Sequence, residues 1–470
     1  MNTQEYDLLA IGGGTAGLVS AAGAAYLGAR PALVERTALG GDCLWTGCVP
    51  SKALIASARL AHAMRHADEL GLRQAAPGHA FGEVMARMRR ARGVVEQHDD
   101  PQRFRDMGVA VHFGAARFVG PDTVEVEGVG RMRSKRIVIA TGAVPAVPPV
   151  PGLEDTGYLT HHTAFEQDTL PEWMTILGAG PIGLEFAQIY ARLGARVQVV
   201  EMLPRILPRE DKAVAGELQR ILEAEGIEFH LDTKAVRVER GPEGKVVVGE
   251  DGRRVTSDEI LVATGRRPAT EGLDLDRAGV GVERGAVVVD ATLRTSNRRV
   301  WAAGDVTGGL QFTHVADYMA KTVLRNAIFP GSQRVDYGNV PWVTYTDPEL
   351  THVGLTHEEG EALGGSTYTY GFDDLDRAIV DGETKGFVKI TADRKGRILG
   401  ATVLGAHAGE LLLPMVLART HGLTLADVSG TIFPYPTMME GVKRAADAYQ
   451  KARLEGRAGR VLRKVVSWLT

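Results

Sequence analysis

Cysteine is scarce in this chain, with two in 470 residues. That excludes a scaffold stapled by several disulfides and a cysteine-rich metal cluster. Long apolar runs are missing too: none approaches the ~18 residues of a membrane span. The first strand is expected from Tyr6, which leaves no room for a secretory leader. A cytoplasmic location is the expectation that follows. Neither sign of charge dominates, since 54 Lys and Arg face 58 Asp and Glu for a net charge of -4. Nothing global therefore points to nucleic acid. The rest, 44% hydrophobic and 24% charged, is the composition of an ordinary globular chain, long enough for roughly three domains.

The two cysteines are not scattered. Cys43 and Cys48 lie in Gly40-Gly41-Asp42-Cys43-Leu44-Trp45-Thr46-Gly47-Cys48-Val49-Pro50-Ser51-Lys52. Across a regular helix that spacing rises about 7.5 Å, whereas a disulfide tolerates Cα atoms no more than about 7 Å apart. A bridge therefore needs a break in the helix, which Gly41 and Gly47 permit. Pro50 suits the first turn of the helix that follows. Cys48 would then sit at that helix's positive end, where a thiol pKa falls. In a reducing compartment such a pair is more often catalytic than structural.

The thiol segment follows a dinucleotide-binding pattern. Tyr6–Ile11 reads as a buried strand, Gly12-Gly13-Gly14-Thr15-Ala16-Gly17 as its turn, and an Ala-rich helix runs to about Leu27. A second strand, Pro31–Val34, ends at Glu35, the acid such units place on a ribose hydroxyl. The pattern recurs as Trp173–Leu177, Gly178-Ala179-Gly180-Pro181-Ile182-Gly183, a helix to Leu193, then Arg196–Val200 and Glu201. Each repeat is followed by a hydrophobic strand and Ala-Thr-Gly, at Ala140-Thr141-Gly142 and again ending at Gly265. A polar helical region is expected over Phe81–Met107. The Pro-rich stretch Pro145–Pro151 marks a domain crossing. The tail Lys451–Thr470 has amphipathic helix spacing and six Lys/Arg against Glu455. Packing in a dimer, or a solvated terminal helix, is its stronger reading; docking on an anionic lipid surface is the weaker. His161-His162 reads as a surface turn rather than a metal site.

Together, Cys43-x4-Cys48 after the first fingerprint, the second fingerprint, both Ala-Thr-Gly turns and Gly304-Asp305 resemble the flavin-dependent pyridine nucleotide–disulfide oxidoreductases. The resemblance covers nearly the whole chain. It implies an α/β fold with two Rossmann-type dinucleotide-binding domains plus a C-terminal α+β dimerisation domain. The expected division is an FAD-binding domain over 1–150 and 270–338, an NAD(P)H-binding domain over 151–269, and a dimerisation domain over 339–470. FAD would occupy the first site and NADH the second. NADPH is the alternative there, because Arg205 follows Glu201.

The resemblance also implies roles. Gly12, Gly14 and Gly17 would cradle the FAD pyrophosphate, with Gly41 beside them and Glu35 on the adenosine ribose. Gly114 lies in the stretch near the adenine, Ala140-Thr141-Gly142 at the strand end, and Asp305 at the ribityl and pyrophosphate region. Gln311-Phe312-Thr313-His314 would run along the isoalloxazine. Gly178, Gly180, Gly183, Glu201 and Gly265 would serve the nicotinamide nucleotide. Cys48 would face the flavin and Cys43 exchange with substrate. Lys52 would lie by the flavin's reactive nitrogen, with Glu185 as its salt-bridge partner.

One position departs from the thiol–disulfide reductases of the family. Where they carry His-Pro-x-x-x-Glu, this chain has Tyr435-Pro436-Thr437-Met438-Met439-Glu440. A phenol with pKa about 10 is a poor base at neutral pH. Tyr435 resembles instead the tyrosine of mercuric reductase, beside the buried metal; packing at the dimer interface is its other reading. A soft cation displaces thiol protons on binding and needs no base. The expected substrate is thus a metal ion such as Hg(II), held transiently by Cys43 and Cys48, or a small thiol-reactive oxidant. The final Val465-Val466-Ser467-Trp468-Leu469-Thr470 lacks the cysteine pair usual in mercuric reductases. Dihydrolipoamide dehydrogenase and a flavin-based quinone or dye reductase are the alternatives. A homodimer is expected, with Tyr435 completing the partner's site.

Overall fold

The computed structural model describes residues 3–76, 78, 80–456, 459, 463 and 466–469. Its contacts divide into two units, one of Met1–Ala56, His79–Leu170 and Glu259–Asp336, the other of Ser57–Gly78, Pro171–Asp258 and Tyr337–Thr470.

The first unit is built on a five-stranded parallel sheet. Its order is Val300–Ala302, Ile137–Ile139, Leu8–Ile11, Pro31–Glu35, Ala110–Phe113. The first three of these runs are buried throughout, as expected of parallel strands covered on both faces. Helix Thr15–Tyr26 returns the chain from the first strand to the next and packs along helix Thr313–Ile328. A second sheet of four strands orders Gln4–Tyr6, Gly130–Ser134, Thr123–Val126 and Ala116–Gly120. The polar helical region is two helices, Phe81–Glu96 and Pro101–Asp106. The break falls where Asp100 caps the second helix by accepting from the Gln102 amide at 2.6 Å, ahead of a proline that suits a first turn.

In the second unit, Trp173–Leu177, Arg196–Val200 and Glu228–His230 pair in parallel, with helix Pro181–Leu193 between the first two. An antiparallel sheet follows the same unit's chain in the order Pro341–Thr344, Glu349–Gly354, Ile398–Gly405, Phe387–Ala392, Ser366–Gly371. Helix Glu440–Glu455 lies on its last two strands. Phe372, Val388, Ile390, Val403, Met415 and Val442 form the core between them. This is the α+β arrangement expected of the C-terminal part. Helix Glu440–Glu455 covers the start of the basic tail. Most of residues 457–470, and with them the amphipathic tail, lie outside the described residues. Among the described residues no helix is long and apolar enough to cross a membrane.

Candidate active site

The first glycine loop is shaped by close backbone approaches. Gly12 has φ +109, and a Cβ there would meet the Ala140 carbonyl oxygen at 2.3 Å; one on Gly17 would lie 1.8 Å from the Gly12 carbonyl oxygen. No other residue fits this loop, and a diphosphate can approach its bare amides and the helix N-terminus that follows. Gly41 packs on Gly14, where an added Cβ would come within 2.7 Å of the Gly14 Cα. That contact sets the thiol segment directly on the phosphate loop.

Helix Gly41–Trp45 ends at Thr46, and helix Cys48–Arg65 begins afresh. This is the break that a bridge between the cysteines requires. In this structure neither is in a disulfide, and Cys43 is half-buried and Cys48 exposed. The two hydrogen-bond to one another; that bond, together with burial, pushes the Cys43 thiol up. Thr313 Oγ1 stands 3.8 Å from Cys48 Sγ at the start of helix Thr313–Ile328. Phe312 and His314 flank it with rings stacked at 5.4 Å. The segment Gln311–His314 and the thiol pair thus meet within one unit. Lys52 follows on the thiol helix, its Nζ donating to Ser51 Oγ at 3.3 Å.

Behind the thiols lies a charged cluster that local sequence did not reveal. Arg266 donates to Asp305 Oδ2 at 2.6 Å and also to Asp42. Asp42 Oδ1 further accepts from Thr46 Oγ1 at 2.8 Å and lies 3.0 Å from His162 Nε2. Burial opposes the charge on Asp42, but the two imidazoles, Arg266 and Thr46 outweigh it and hold its carboxyl below the usual range. Burial pushes the Asp305 carboxyl up, with Arg266 pulling against it. His161 is not on a surface turn: it is 5% exposed, and burial pushes its pKa down. The cluster's members stood in the sequence as separate signals: Asp42 inside the cysteine motif, His161-His162, Arg266 directly after Gly265, and Asp305 after Gly304.

The chain's two Ala-Thr-Gly turns are stitched reciprocally. Thr141 Oγ1 donates to the Ala269 carbonyl at 2.7 Å, and Thr264 Oγ1 to the Ala146 carbonyl at 2.7 Å. Gly142 and Gly265 take φ +73 and +129 there. Gly114, at φ +151, donates its amide to the Glu35 carbonyl at 2.9 Å.

The second nucleotide loop repeats the first. Glu35 accepts from the Gly13 amide at 2.6 Å and the Thr37 amide at 2.8 Å. Glu201 accepts from the Ala179 amide at 2.8 Å and the Leu203 amide at 2.9 Å. Gly178 has φ +106, Gly180 caps helix Pro181–Leu193, and Gly183 is buried in its first turn. Arg205 is engaged in its own loop, donating to the Glu210 and Pro208 carbonyls, each at 2.6 Å. Glu185, in the same unit, is buried and accepts from the Tyr345 amide at 3.0 Å.

Tyr435 is 67% exposed. Its hydroxyl donates to Asp376 Oδ2 at 3.0 Å, not to Glu440, which bears on it only through charge. The hydrogen bond to Asp376, and then its charge, push the phenol above its ordinary value. Glu440 is buried, with Arg444 at 3.8 Å. Tyr435 and the thiols belong to different units.

Two bare-glycine cradles, a thiol pair and a C-terminal antiparallel sheet define a class. The chain belongs to the pyridine nucleotide-disulphide oxidoreductase family, whose model matches residues 6–320, and its dimerisation domain matches residues 340–446. It is a flavoprotein disulfide reductase that uses FAD and NAD(P)H. Among its relatives, the mercuric reductase of Streptomyces lividans is 37% identical over 94% of this chain and 96% of its own length. The dihydrolipoyl dehydrogenase of Bacillus subtilis is 34% identical over 94% and 97%. The Cu(II) complex of the HOCl-induced flavoprotein disulfide reductase RclA from Escherichia coli superimposes with TM-score 0.87, at 30% identity over 95% of this chain and all of that one.

Proposed function

We propose that the chain is an NADH-dependent, mercuric-reductase-like enzyme. In this reading the Cys43/Cys48 dithiol reduces a thiophilic metal ion such as Hg(II), or a small thiol-reactive oxidant, within a homodimer. Bound FAD supplies the two-electron link between nicotinamide and dithiol. The bare loop Gly12–Gly17 and the Gly14–Gly41 contact fit its diphosphate, and Thr313 and Lys52 fit its ring system. Gly178, Gly180 and Gly183 hold the second dinucleotide. The engagement of Arg205 by backbone carbonyls leaves Glu201 as the charge facing a 2′-position, which favours a free hydroxyl over a phosphate.

The observation that carries the substrate class is Tyr435. Disulfide exchange at Cys43 needs a proton carried to and from the attacking and leaving thiols, and a positioned base is typically worth 10²–10⁴ in rate. A phenol raised by Asp376 does not supply one at neutral pH. The Cys43 thiol is itself pushed up, which further slows unassisted attack. A soft metal ion displaces the proton as it binds. Steady-state NADH oxidation with Hg(II), Cu(II), oxidised lipoamide, glutathione disulfide and a quinone side by side tests the reading. Turnover should be fastest with the thiophilic ions. Fast lipoamide turnover would favour the dehydrogenase, a reading that the Bacillus subtilis relative keeps in view. Quinone turnover that survives loss of both cysteines would favour the flavin-based reductase.

A further inference from the structure

We propose a resident divalent-cation site at Asp42, His161 and His162, distinct from the thiol pair that handles substrate. One ligand atom from each of these side chains lies within 4.8 Å of the others. His162 Nε2 is 3.0 Å and His161 Nε2 3.9 Å from the Asp42 carboxylate oxygens. Four-coordinate Zn(II), with ligands at about 2.0–2.1 Å, needs donor separations of ~3.3 Å, so closure asks for small side-chain movements. The independent observation is His161. It is 5% exposed, and its Nε2 has no hydrogen-bond partner while facing this carboxylate. A buried ring nitrogen left without a partner is costly and rare enough to need a reason.

The donor set names the cation. Two imidazoles and one carboxylate suit Zn(II), Co(II) or Ni(II), not the all-oxygen preference of Mg(II) or Ca(II). Arg266 holds Asp42 at Oδ2 and also holds Asp305, while Asp42 Oδ1 faces His162 and Oδ2 lies nearer His161. His162 is half-buried, which leaves an entry path from solvent. Water would complete the coordination. Because Asp42 directly precedes Cys43, an occupied site would brace the short helix that carries the exchange thiol.

The test uses the full chain with Cys43→Ser and Cys48→Ser, so that thiols cannot bind the probe and the outcome is independent of the reductase reading. Zn(II) titrated against a chromophoric chelator should bind one equivalent per chain. His162→Ala, at a half-exposed position, should weaken binding at least tenfold while FAD content stays unchanged; His161→Ala should do the same where it folds. Mg(II) at equal concentration should not compete. No binding in the thiol-free protein, binding unaffected by His162→Ala or by a folded His161→Ala, or competition by Mg(II) would each overturn the site.

Discussion

Tyr435 separates two chemistries at one position. With tyrosine tied to Asp376, disulfides should turn over slowly. Tyr435→His should raise lipoamide or glutathione disulfide reduction at least about tenfold, at the modest end of general-base effects. Metal-dependent NADH oxidation should stay level or fall. Wild-type lipoamide turnover in the hundreds per second, unimproved by the histidine, would contradict this. The two sulfurs divide their work in a way a spectrum can read. Two-electron reduction should give a long-wavelength charge-transfer band from the Cys48 thiolate; Cys48→Ser should abolish it, and Cys43→Ser should leave it. Band loss in Cys43→Ser alone would reverse the assignment. At the second loop, Glu201→Ala should narrow the preference for NADH, read as the ratio of kcat/KM for the two cofactors. A wild type that favours NADPH would sink the cofactor proposal.

At the scale of elements, the strand Glu349–Gly354 carries a pH liability. His352 is buried, its Nδ1 2.7 Å from Thr402 Oγ1 and its Nε2 3.0 Å from the Gly354 carbonyl. Burial pushes its pKa down to about 4. Between that value and the ordinary ~6.5 the unfolded chain binds a proton that the folded chain refuses, so stability rises with pH across this window. Acidification from 6.5 to 4 should cost about 3 kcal/mol at this one side chain. His352→Gln should flatten the fall of Tm over that range; an unchanged slope would show that other groups set it. The elements themselves were largely legible beforehand. Trp173–Leu177, Arg196–Val200 and Pro181–Leu193 follow from apolar runs, glycine turns and a proline at the helix start, all of which act locally. The hold on Tyr435 was not legible, because Asp376 lies 59 residues away. Nor was the Arg266–Asp42 bridge, which spans 224 residues. Such pairings come from tertiary packing, which no period or turn residue encodes. For the same reason a His-His pair in a polar stretch looked like surface, although packing buries His161.

For the whole molecule, the dimerisation domain leaves apolar side chains uncovered: Ile432 is 95% exposed, and Leu413, Leu417 and Tyr435 are exposed as well. A second copy would cover them. Gel filtration should give about twice the 50.4 kDa chain mass. Ile432→Asp should shift the protein toward monomer with FAD retained and turnover lost, if the partner's Tyr435 completes each site. A fully active monomer would exclude that arrangement.

The first parallel sheet also sets a timetable. Leu8–Ile11 pairs with Ile137–Ile139, and that strand with Val300–Ala302, while helix Thr15–Tyr26 packs on Thr313–Ile328. A ribosome has therefore made more than half of the chain before strand Val300–Ala302 and helix Thr313–Ile328, the last of these neighbours, exist. Pairings so distant in sequence are slow to find, and until they form the early strands stand exposed and prone to stick. The glycine loop comes first in the chain and is completed late. A nascent chain stalled before Thr313 should therefore fail to take up flavin, and release of the stall should restore uptake without any change upstream.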